Sequence, residues 1–205
     1  MIRALLAALC LAGPARADGT PGEFDYYVLS LSWSPTWCAL EGDAEDAQCQ
    51  RGMAWVVHGL WPQHEEGYPV DCDSRFPGPT ERDAERMADL MGSAGLARHE
   101  WRRHGTCSGM SPRDYFREVR RAWEGAEVPD AFVRLPGPVE IEAAVVEDAF
   151  LREDSTKVAD GVTVTCQDGY VDEVRLCLTR DLEPRACGAD VARDCRGAAL
   201  MEPPG

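Results

Sequence analysis

Histidine is scarce in this chain, and so are the patterns that bind metals. The 205 residues include four histidines and nine cysteines, and no two cysteines have the spacing Cys-x-x-Cys. A structural zinc site is therefore not expected. The sequence also has no internal repeat and no linker that would divide it. Together with the length, these absences predict one domain.

Long hydrophobic runs are also lacking. No segment is longer or more apolar than Ala4 to Ala12, and a bilayer needs about 20 apolar residues. Arg3 precedes this run, and Ala15-Arg16-Ala17 follows it with the small-x-small pattern of a signal-peptidase site. We therefore predict that residues 1–17 are a cleaved export signal and that residues 18–205 form the mature domain, which has no membrane partner.

The predicted signal also indicates a location. It is short and rich in alanine and leucine, as is typical of bacteria, so we expect a secreted or periplasmic protein. A lipid anchor on Cys10 is the alternative, but Leu9 is bulky where a lipoprotein signal needs a small residue.

An even number of cysteines remains after residue 17. In an exported protein such a set indicates disulfides, each of which stabilises the fold by about 2 to 4 kcal/mol. Spacing alone does not choose among the many pairings that eight cysteines allow. The eight are Cys38, Cys49, Cys72, Cys107, Cys166, Cys177, Cys187 and Cys195.

Basic residues are a minority. The chain has 21 basic and 36 acidic residues, and the first 17 residues hold two arginines and no acid, so the remainder carries a formal charge of −17. Such a body repels polyanions at long range, which excludes a protein that binds nucleic acid through a broad basic face. Binding of a polyanion must be local, within a Debye length of about 8 Å. The pair Arg102-Arg103 is the candidate for such a site.

Helix and strand patterns follow one another without a regular alternation. This mixture predicts an α+β domain with a mainly antiparallel central sheet, flanked by helices and held by four disulfides. Residues 63–80 are rich in proline and glycine and predict a long loop, and we expect the tail after Cys195 to be loose. Asp168-Gly169 predicts a hairpin turn. The predicted strands are Phe24 to Trp33, Met53 to Leu60, Val162 to Gln167 and Tyr170 to Leu178, and the predicted helices are Thr80 to Met91, Ala94 to His104, one beginning at Ser111-Pro112, and Val139 to Phe150.

Three of the four histidines lie in two short segments. If residues 99–104 are helical, a rotation of about 100° per residue places four side chains on one face and turns Trp101 and Arg102 away. A carboxylate beside an imidazole favours its protonated form and a guanidinium opposes it, so a histidine on this face is expected to have a pKa near the working pH. The four are His99, Glu100, Arg103 and His104.

His58 can complete this group. It follows a predicted buried strand, which can hold its ring rigidly opposite the helix. Two imidazoles with a cation and a carboxylate suit the cleavage of a phosphodiester that carries its own 2′-hydroxyl. One ring takes the hydroxyl proton, the other gives a proton to the 5′-oxygen, and the cation stabilises the charge at phosphorus. This chemistry requires no metal.

Each of these residues also has an ordinary structural explanation. A single strand histidine such as His58 is more often a hydrogen-bonded core residue, and Glu100 with His104 fits a helix-surface pair at i, i+4. His99 and His104 are one residue further apart than the histidines of His-Glu-x-x-His, which argues against shared zinc ligation. His64, in an acidic loop, is expected to take no part.

The two histidine segments resemble the active-site signatures of a known family. His58-Gly59-Leu60-Trp61-Pro62 and His99-Glu100-Trp101-Arg102-Arg103-His104-Gly105-Thr106-Cys107 are similar, in order and spacing, to the signatures of the ribonuclease T2 family of secreted endoribonucleases. Phe24 to Leu29, with Trp33-Ser34-Pro35 and Cys38, is similar to the family's opening strand, and Glu173 to Cys177 to its closing part. The resemblance covers nearly the whole mature chain. It implies cleavage of single-stranded RNA with low base specificity and without a cofactor.

The resemblance implies a role for each matching residue. His58 matches the family's general acid, His104 its general base, and Glu100 the acidic residue that supports the transition state. His99 matches a phosphate-binding histidine. Arg103 stands where the family commonly has lysine, so a planar guanidinium replaces a point charge, and we expect an altered rate or pH dependence without loss of activity.

In the family, aromatic residues that follow the first signature bind the bases. Here these are Trp61 and Tyr68, which would otherwise fit as core aromatics, and Gln63 is a candidate for contact with a base edge. Unpaired RNA bases stack well on such rings. The family's pattern also implies the disulfides Cys38–Cys49, Cys72–Cys107, Cys166–Cys195 and Cys177–Cys187.

Three functions are open at this point. The leading one is a monomeric endoribonuclease that forms 2′,3′-cyclic phosphate ends, can hydrolyse them to 3′-phosphates, and needs neither metal nor membrane. The second is a secreted binding or toxin-like protein on the same scaffold, whose effects on cells would persist in His104→Ala. The third is a zinc hydrolase, which would lose its activity in a chelator.

Overall fold

The structure is a computed structural model that describes residues 19–205. The predicted export signal lies outside these residues. The strands are β1 (Tyr26–Trp33), β2 (Trp55–Gln63), β3 (Val139–Glu142), β4 (Val162–Gln167), β5 (Tyr170–Leu178) and β6 (Ala198–Met201). The helices are α1 (Ser34–Leu40), α2 (Ala47–Gln50), α3 (Glu81–Glu85), α4 (Ala88–Met91), α5 (Ala94–Arg103), α6 (Pro112–Glu124), α7 (Asp130–Val133) and α8 (Ala143–Glu153), with 3₁₀ turns at Gly105–Ser108 and Ala159–Gly161.

All six strands belong to one sheet. Its order is β2-β1-β5-β6-β3, and β4 also pairs with β5. The pairs β1–β2, β1–β5, β4–β5 and β3–β6 are antiparallel, whereas β5 meets β6 in parallel at Tyr170 and Leu200. The prediction of an α+β domain with a mainly antiparallel central sheet is confirmed.

Strand β1 is buried on both faces of the sheet. Its residues Leu29, Leu31 and Trp33 join the main core, which also includes Trp101 of α5 and Tyr115 of α6. On its other face, Tyr26 and Val28 belong to a smaller apolar cluster with Cys177 and Val191. The strand therefore gives its neighbours β2 and β5 a rigid common support, and both neighbours carry side chains of the candidate site.

Three helices begin at residues whose side chains cap them. The hydroxyl groups of Thr80, Ser93 and Ser111 accept hydrogen bonds from backbone N–H groups in the first turns of α3, α5 and α6. Pro112 follows its cap at the first helical position, where the missing N–H costs nothing. The helix predicted over Thr80 to Met91 is divided, because α3 ends at Glu85 and α4 begins at Ala88.

Two predictions near the end of the chain are wrong. Val139 to Phe150 is not one helix, because Val139–Glu142 forms β3 and the helix begins at Ala143. The tail after Cys195 is not loose, since Ala198–Met201 forms β6 and pairs with β3. The backbone hydrogen bonds of β3 are made with β6, which lies far along the chain, so the short sequence of either strand did not predict the pairing. The apolar and charged residues of β3 do alternate, as in a half-buried strand.

Four disulfides join the cysteines in the pairs that the family resemblance implied. They are Cys38–Cys49, Cys72–Cys107, Cys166–Cys195 and Cys177–Cys187. The Cys72–Cys107 bridge fastens the long loop after β2 to the 3₁₀ turn that follows α5. This bridge therefore holds together the two segments that contain the histidine signatures.

Candidate active site

His58 lies at an irregularity in strand β2. Across the β1–β2 pair, Leu31 is opposite Val57 and the preceding residue Ser30 is opposite Gly59, so His58 is an extra residue with no partner. A β-bulge of this kind redirects the side chains that follow it. It brings the rings of His58 and Trp61, three residues apart, to a centroid separation of 5.3 Å.

Two carboxylates flank the imidazole of His58. Its Nδ1 atom lies 2.5 Å from Oε1 of Glu173 on β5, and its Nε2 atom lies 3.7 Å from Oε1 of Glu100 on α5. Burial of the ring lowers its pKa, but the hydrogen bond and negative charge of Glu173, with the charge of Glu100, outweigh this effect and raise the pKa above its ordinary value of 6.5. The side chain is 37% exposed, so His58 also reaches solvent.

Glu100 is the buried acid of helix α5. Its Oε2 accepts a hydrogen bond of 2.7 Å from the indole N–H of Trp61. Burial raises the pKa of Glu100 to about 7, against the opposing effects of His58 and of the Trp61 hydrogen bond. A side chain at Gly59 would collide with both the Glu100 carboxylate and the Trp61 indole. The glycine of the first signature therefore makes room for the contact between the two segments.

His104 lies one residue beyond the end of α5. Its ring centroid is 5.2 Å from that of Trp61, at an angle of 32°. Its Nδ1 atom is buried and has no hydrogen-bond partner among the described residues. Burial, followed by the charges of Arg103 and His58, lowers the pKa of His104 to about 3. The imidazole is therefore neutral over the ordinary pH range.

The remaining basic groups lie at the exposed rim. An amino group of Arg102 lies 3.2 Å from Nδ1 of His99, and both residues are exposed. The guanidinium of Arg103 pairs with Asp71 at 2.5 Å, and the backbone N–H of Asp71 donates to the carbonyl of Arg103. Burial and the charge of Arg102 lower the pKa of His99. The rim therefore combines two guanidinium groups with one carboxylate.

The residues predicted to bind bases line one cavity. Trp61, Gln63 and Tyr68 surround a space of about 260 Å³, together with Arg175 and Asp190 among others. Tyr68 is 52% exposed, so it is not a core residue, whereas Gln63 is buried. The guanidinium of Arg175 lies 5.4 Å from the centroid of the Trp61 ring. The cavity thus offers aromatic faces and polar groups immediately beside His58 and His104.

Comparison with known proteins identifies the family. The model of the Ribonuclease T2 family matches residues 24–187, which contain both histidine signatures. The chain belongs to the ribonuclease T2 family. Its relatives include a ribonuclease of Aeromonas hydrophila, 44% identical over 111 residues, which are 54% of this chain and 50% of the relative. A probable ribonuclease of Haemophilus influenzae is 34% identical over 122 residues, which are 52% of this chain and 44% of that protein.

Solved structures show the same fold. An RNase-related protein from Calystegia sepium superposes with a TM-score of 0.70 at 20% identity, over 89% of this chain and 98% of the other. By sequence, the chain spans about half the length of the two bacterial relatives.

A second cavity borders His58 in this member of the ribonuclease T2 family. Its volume is about 440 Å³, and His58, His99 and Glu173 contribute to its wall. Asp172 also lines it, and burial raises the pKa of that carboxyl to about 6. His58 lines this cavity, whereas its neighbour Trp61 lines the 260 Å³ cavity.

Sequence reasoning missed two residues of this ribonuclease T2 site. Glu173 is buried on β5 and contacts His58, and Arg175 donates two hydrogen bonds, of 3.0 and 2.7 Å, to the other Glu173 oxygen. The available signal was a carboxylate and a guanidinium two residues apart in a predicted strand, and therefore on one face. The resemblance of Glu173 to Cys177 to the family's closing part does not by itself indicate a contact with His58.

Metal-binding geometry is absent from the part of the chain that the structure describes: residues 19–205 contain no group of three or more His, Cys, Asp or Glu side chains placed to hold an ion. Over the same residues, no helix is long and apolar enough to cross a membrane. His64 lies outside the histidine cluster, with its Nδ1 3.6 Å from Asp25.

Proposed function

We propose that this protein is an endoribonuclease that cleaves single-stranded RNA by transphosphorylation. The 2′-oxygen bonds to phosphorus, the bond from phosphorus to the 5′-oxygen breaks, and a 2′,3′-cyclic phosphate end results. One observation carries the proposal: two imidazoles flank the same indole, and their pKa values are shifted in opposite directions.

His104 is suited to be the general base. A base must be unprotonated to accept the 2′-hydroxyl proton, and a pKa of about 3 keeps the His104 ring neutral. Its ring packs against that of Trp61, with 32° between the ring planes, and this contact restrains its orientation.

His58 is suited to be the general acid. The raised pKa of its ring keeps the proton available near pH 6.5. The contact of Nδ1 with Glu173 leaves Nε2 as the atom on the side of Glu100 and the cleft. That nitrogen gives its proton to the departing 5′-oxygen. Hydrolysis of the cyclic phosphate to a 3′-phosphate uses the same groups in reversed roles, with water as the nucleophile.

Arg103, His99 and Glu100 act on the phosphate. The guanidinium of Arg103 stabilises the negative charge that grows on the phosphoryl oxygens, and His99 at the exposed rim binds the phosphate. Glu100, with a pKa of about 7, is partly protonated near neutral pH, so its carboxyl group can donate a hydrogen bond to a phosphoryl oxygen. A fully ionised carboxylate at this buried position would repel the substrate.

The RNA is held locally and without a broad basic surface. A base stacks on Trp61 or Tyr68 in the 260 Å³ cavity, where Gln63 offers an amide to its edge. The chain after residue 17 carries a formal charge of −17, so long-range attraction contributes little. We propose low base specificity, action as a monomer, no metal, and export to the periplasm or the medium.

A defined single-stranded RNA tests the proposal. The oxidised protein is incubated with it in EDTA between pH 4 and 8, and the masses of the new ends are measured. We expect 2′,3′-cyclic phosphate and 3′-phosphate ends, and a loss of activity of about 100-fold or more in His58→Phe and in His104→Ala. His64→Ala is the matched control and is expected to remain active. Intact RNA with the wild-type protein, or full activity of His58→Phe, would refute the proposal.

A further inference from the structure

The hydrogen bond between His58 and Glu173 transfers no proton to the substrate, and the reaction steps above assign Glu173 no role of its own. It joins two strands that are not neighbours, since β1 lies between β2 and β5. The distance from Nδ1 to Oε1 is 2.5 Å, which is short for a bond between an imidazole N–H and a carboxylate. Glu173 is 4% exposed, so a buried acid is directed at one specific histidine nitrogen.

The Glu173 carboxylate is ionised despite its burial. Burial would raise its pKa, but the His58 hydrogen bond and the charges of His58 and Arg175 outweigh burial and lower the pKa to about 2. Arg175 binds only Oε2, through two nitrogens. Oε1 is thereby left for His58, and the Ser32 hydroxyl is 3.5 Å from the same oxygen. An acceptor-only oxygen facing Nδ1 requires a proton on Nδ1.

We propose that Glu173 is a positioning residue, which fixes the Nδ1–H tautomer and the orientation of His58 so that Nε2 is the nitrogen that delivers the proton to the leaving oxygen. This inference rests on the proposed function, in which His58 is the general acid. The proton on Nε2 passes to the 5′-oxygen as its bond to phosphorus breaks, and the neutral ring that remains keeps its Nδ1–H bonded to Glu173. Glu173 itself takes up no proton.

Other charged groups also face His58. The charges of Asp172 on β5 and Glu100 on α5 act on it directly, Arg175 is bound to Glu173, and the imidazoles of His99 and His104 lie near enough to be affected by its charge. Only Glu173 combines a negative charge with a hydrogen bond to the ring in this set, since Glu100 lies 3.7 Å from Nε2. Neutralising Glu173 should therefore affect His58 more strongly than neutralising the adjacent Asp172.

Two substrates with different leaving groups distinguish a residue that positions the general acid from one with a purely structural role. We compare Glu173→Gln with the wild-type enzyme on a diribonucleotide and on a ribonucleoside 3′-(4-nitrophenyl phosphate), whose phenolate leaves without a proton. General acid catalysis contributes about 100-fold to 10,000-fold. We expect kcat to fall by at least about 100-fold on the diribonucleotide and by less than about 5-fold on the activated ester, with KM little changed. Equal losses on the two substrates would overturn the proposal.

Two further variants complete the comparison. Asp172→Asn removes a neighbouring carboxylate without touching Nδ1, and we expect less than about a 5-fold change on either substrate. Glu173→Asp keeps the charge on a shorter side chain and should recover part of the diribonucleotide activity. The alkaline limb of the pH profile should move to lower pH in Glu173→Gln. The variant removes the negative charge that raises the pKa of His58, whereas burial of the ring, which lowers this pKa, is unchanged. An unmoved limb would contradict the proposal.

Imidazole NMR of the wild-type protein tests the tautomer without relying on activity or on a folded Glu173 variant. The chain has four histidines, and the His58 signals are identified by their loss in His58→Phe. Long-range proton–nitrogen correlations across pH 4 to 9 should show Nδ1 protonated throughout and Nε2 titrating above pH 6.5. A neutral His58 ring protonated on Nε2 would overturn the inference. Failure of the proposed function would appear separately, as wild-type protein that leaves both substrates intact.

Discussion

The indole N–H of Trp61 donates a hydrogen bond of 2.7 Å to the Glu100 carboxylate and thereby joins strand β2 to the last turn of helix α5. The same indole lies 5.3 Å from the ring of His58 and 5.2 Å from that of His104. Trp61 is therefore the common neighbour of both imidazoles and of the buried acid. Changes that move this ring should disturb all three groups together.

Gly59→Ala tests this arrangement with a single methyl group. The added carbon would collide with the Glu100 carboxylate and the Trp61 indole, so one of them must move and their hydrogen bond is lost. We expect kcat/KM for RNA to fall by about 100-fold and the free energy of unfolding by about 1 to 3 kcal/mol. Kinetics on a short RNA and urea denaturation measure the two effects.

Gly137→Ala is the matched control for this substitution. A carbon added at Gly137 meets no heavy atom within 4 Å, and its backbone does not have a positive φ. Its activity and stability should stay close to those of the wild-type protein. Wild-type activity in Gly59→Ala would show that the contact between Trp61 and Glu100 is not needed.

The sequence predicted most of the fold where local signals decide the structure. Helices were predicted to begin at Thr80 and at Ser111-Pro112, and Thr80 and Ser111 cap α3 and α6. Asp168-Gly169 forms the predicted turn between β4 and β5. Strands β3 and β6 were missed because each exists through its pairing with the other, across more than 50 residues of chain. Local propensity does not contain that information.

In the candidate site, too, some features were predictable from local sequence and others depend on distant contacts. Helical geometry turned Trp101 away from the face of His99 and Glu100, and Trp101 is indeed buried in the main core. The same geometry was wrong for Arg102, whose long side chain reaches back to within 3.2 Å of His99. The bulge at His58 depends on the register with β1, and the Glu173 contact joins residues 115 positions apart. Helical periodicity also could not place His104, because α5 ends one residue before it. These features require the assembled sheet.

The two shifted imidazole pKa values predict a profile on the acidic side of neutrality. As the proposed general base, His104 must be neutral, and with a pKa of about 3 it is neutral above that pH. As the proposed general acid, His58 must be protonated, and it loses its proton as the pH rises through its raised pKa. We expect kcat/KM at constant ionic strength to be bell-shaped, with the acidic limb near pH 3 and the alkaline limb above pH 6.5. A maximum above pH 8 would disagree with these assignments.

In the proposed mechanism, Arg103 both binds the phosphate and influences the protonation of His104. After burial, its charge is the largest influence that lowers the pKa of His104. Arg103→Gln should therefore raise that pKa, move the acidic limb to higher pH, and reduce kcat/KM by about 10-fold to 100-fold through weaker stabilisation of the phosphate. Arg103→Lys keeps the charge, so the acidic limb should stay at the same pH and kcat/KM should remain within about 10-fold of the wild-type value. Identical pH profiles for Gln and Lys would contradict this link.

The Cys72–Cys107 disulfide should affect catalysis as well as stability. Cys72 follows Asp71, which pairs with Arg103, and Cys107 lies three residues after His104. The Cys166–Cys195 bridge joins β4 to the C-terminal segment and closes a loop of similar length, with separations of 35 and 29 residues for the two bridges. In the chain-entropy estimate, removal of either bridge costs about 4 kcal/mol, because that cost depends on loop length.

Two double variants compare these bridges, Cys72→Ser with Cys107→Ser and Cys166→Ser with Cys195→Ser. Guanidinium denaturation should show similar losses of stability. Well below both unfolding temperatures, kcat/KM per folded molecule should fall by about 10-fold in the first variant and little in the second. The reason is that the first bridge restrains Arg103 and His104 relative to the loop that carries Asp71, and misplacement of such groups slows the reaction even in a folded enzyme. Equal activities would mean that packing alone holds this loop against the end of α5.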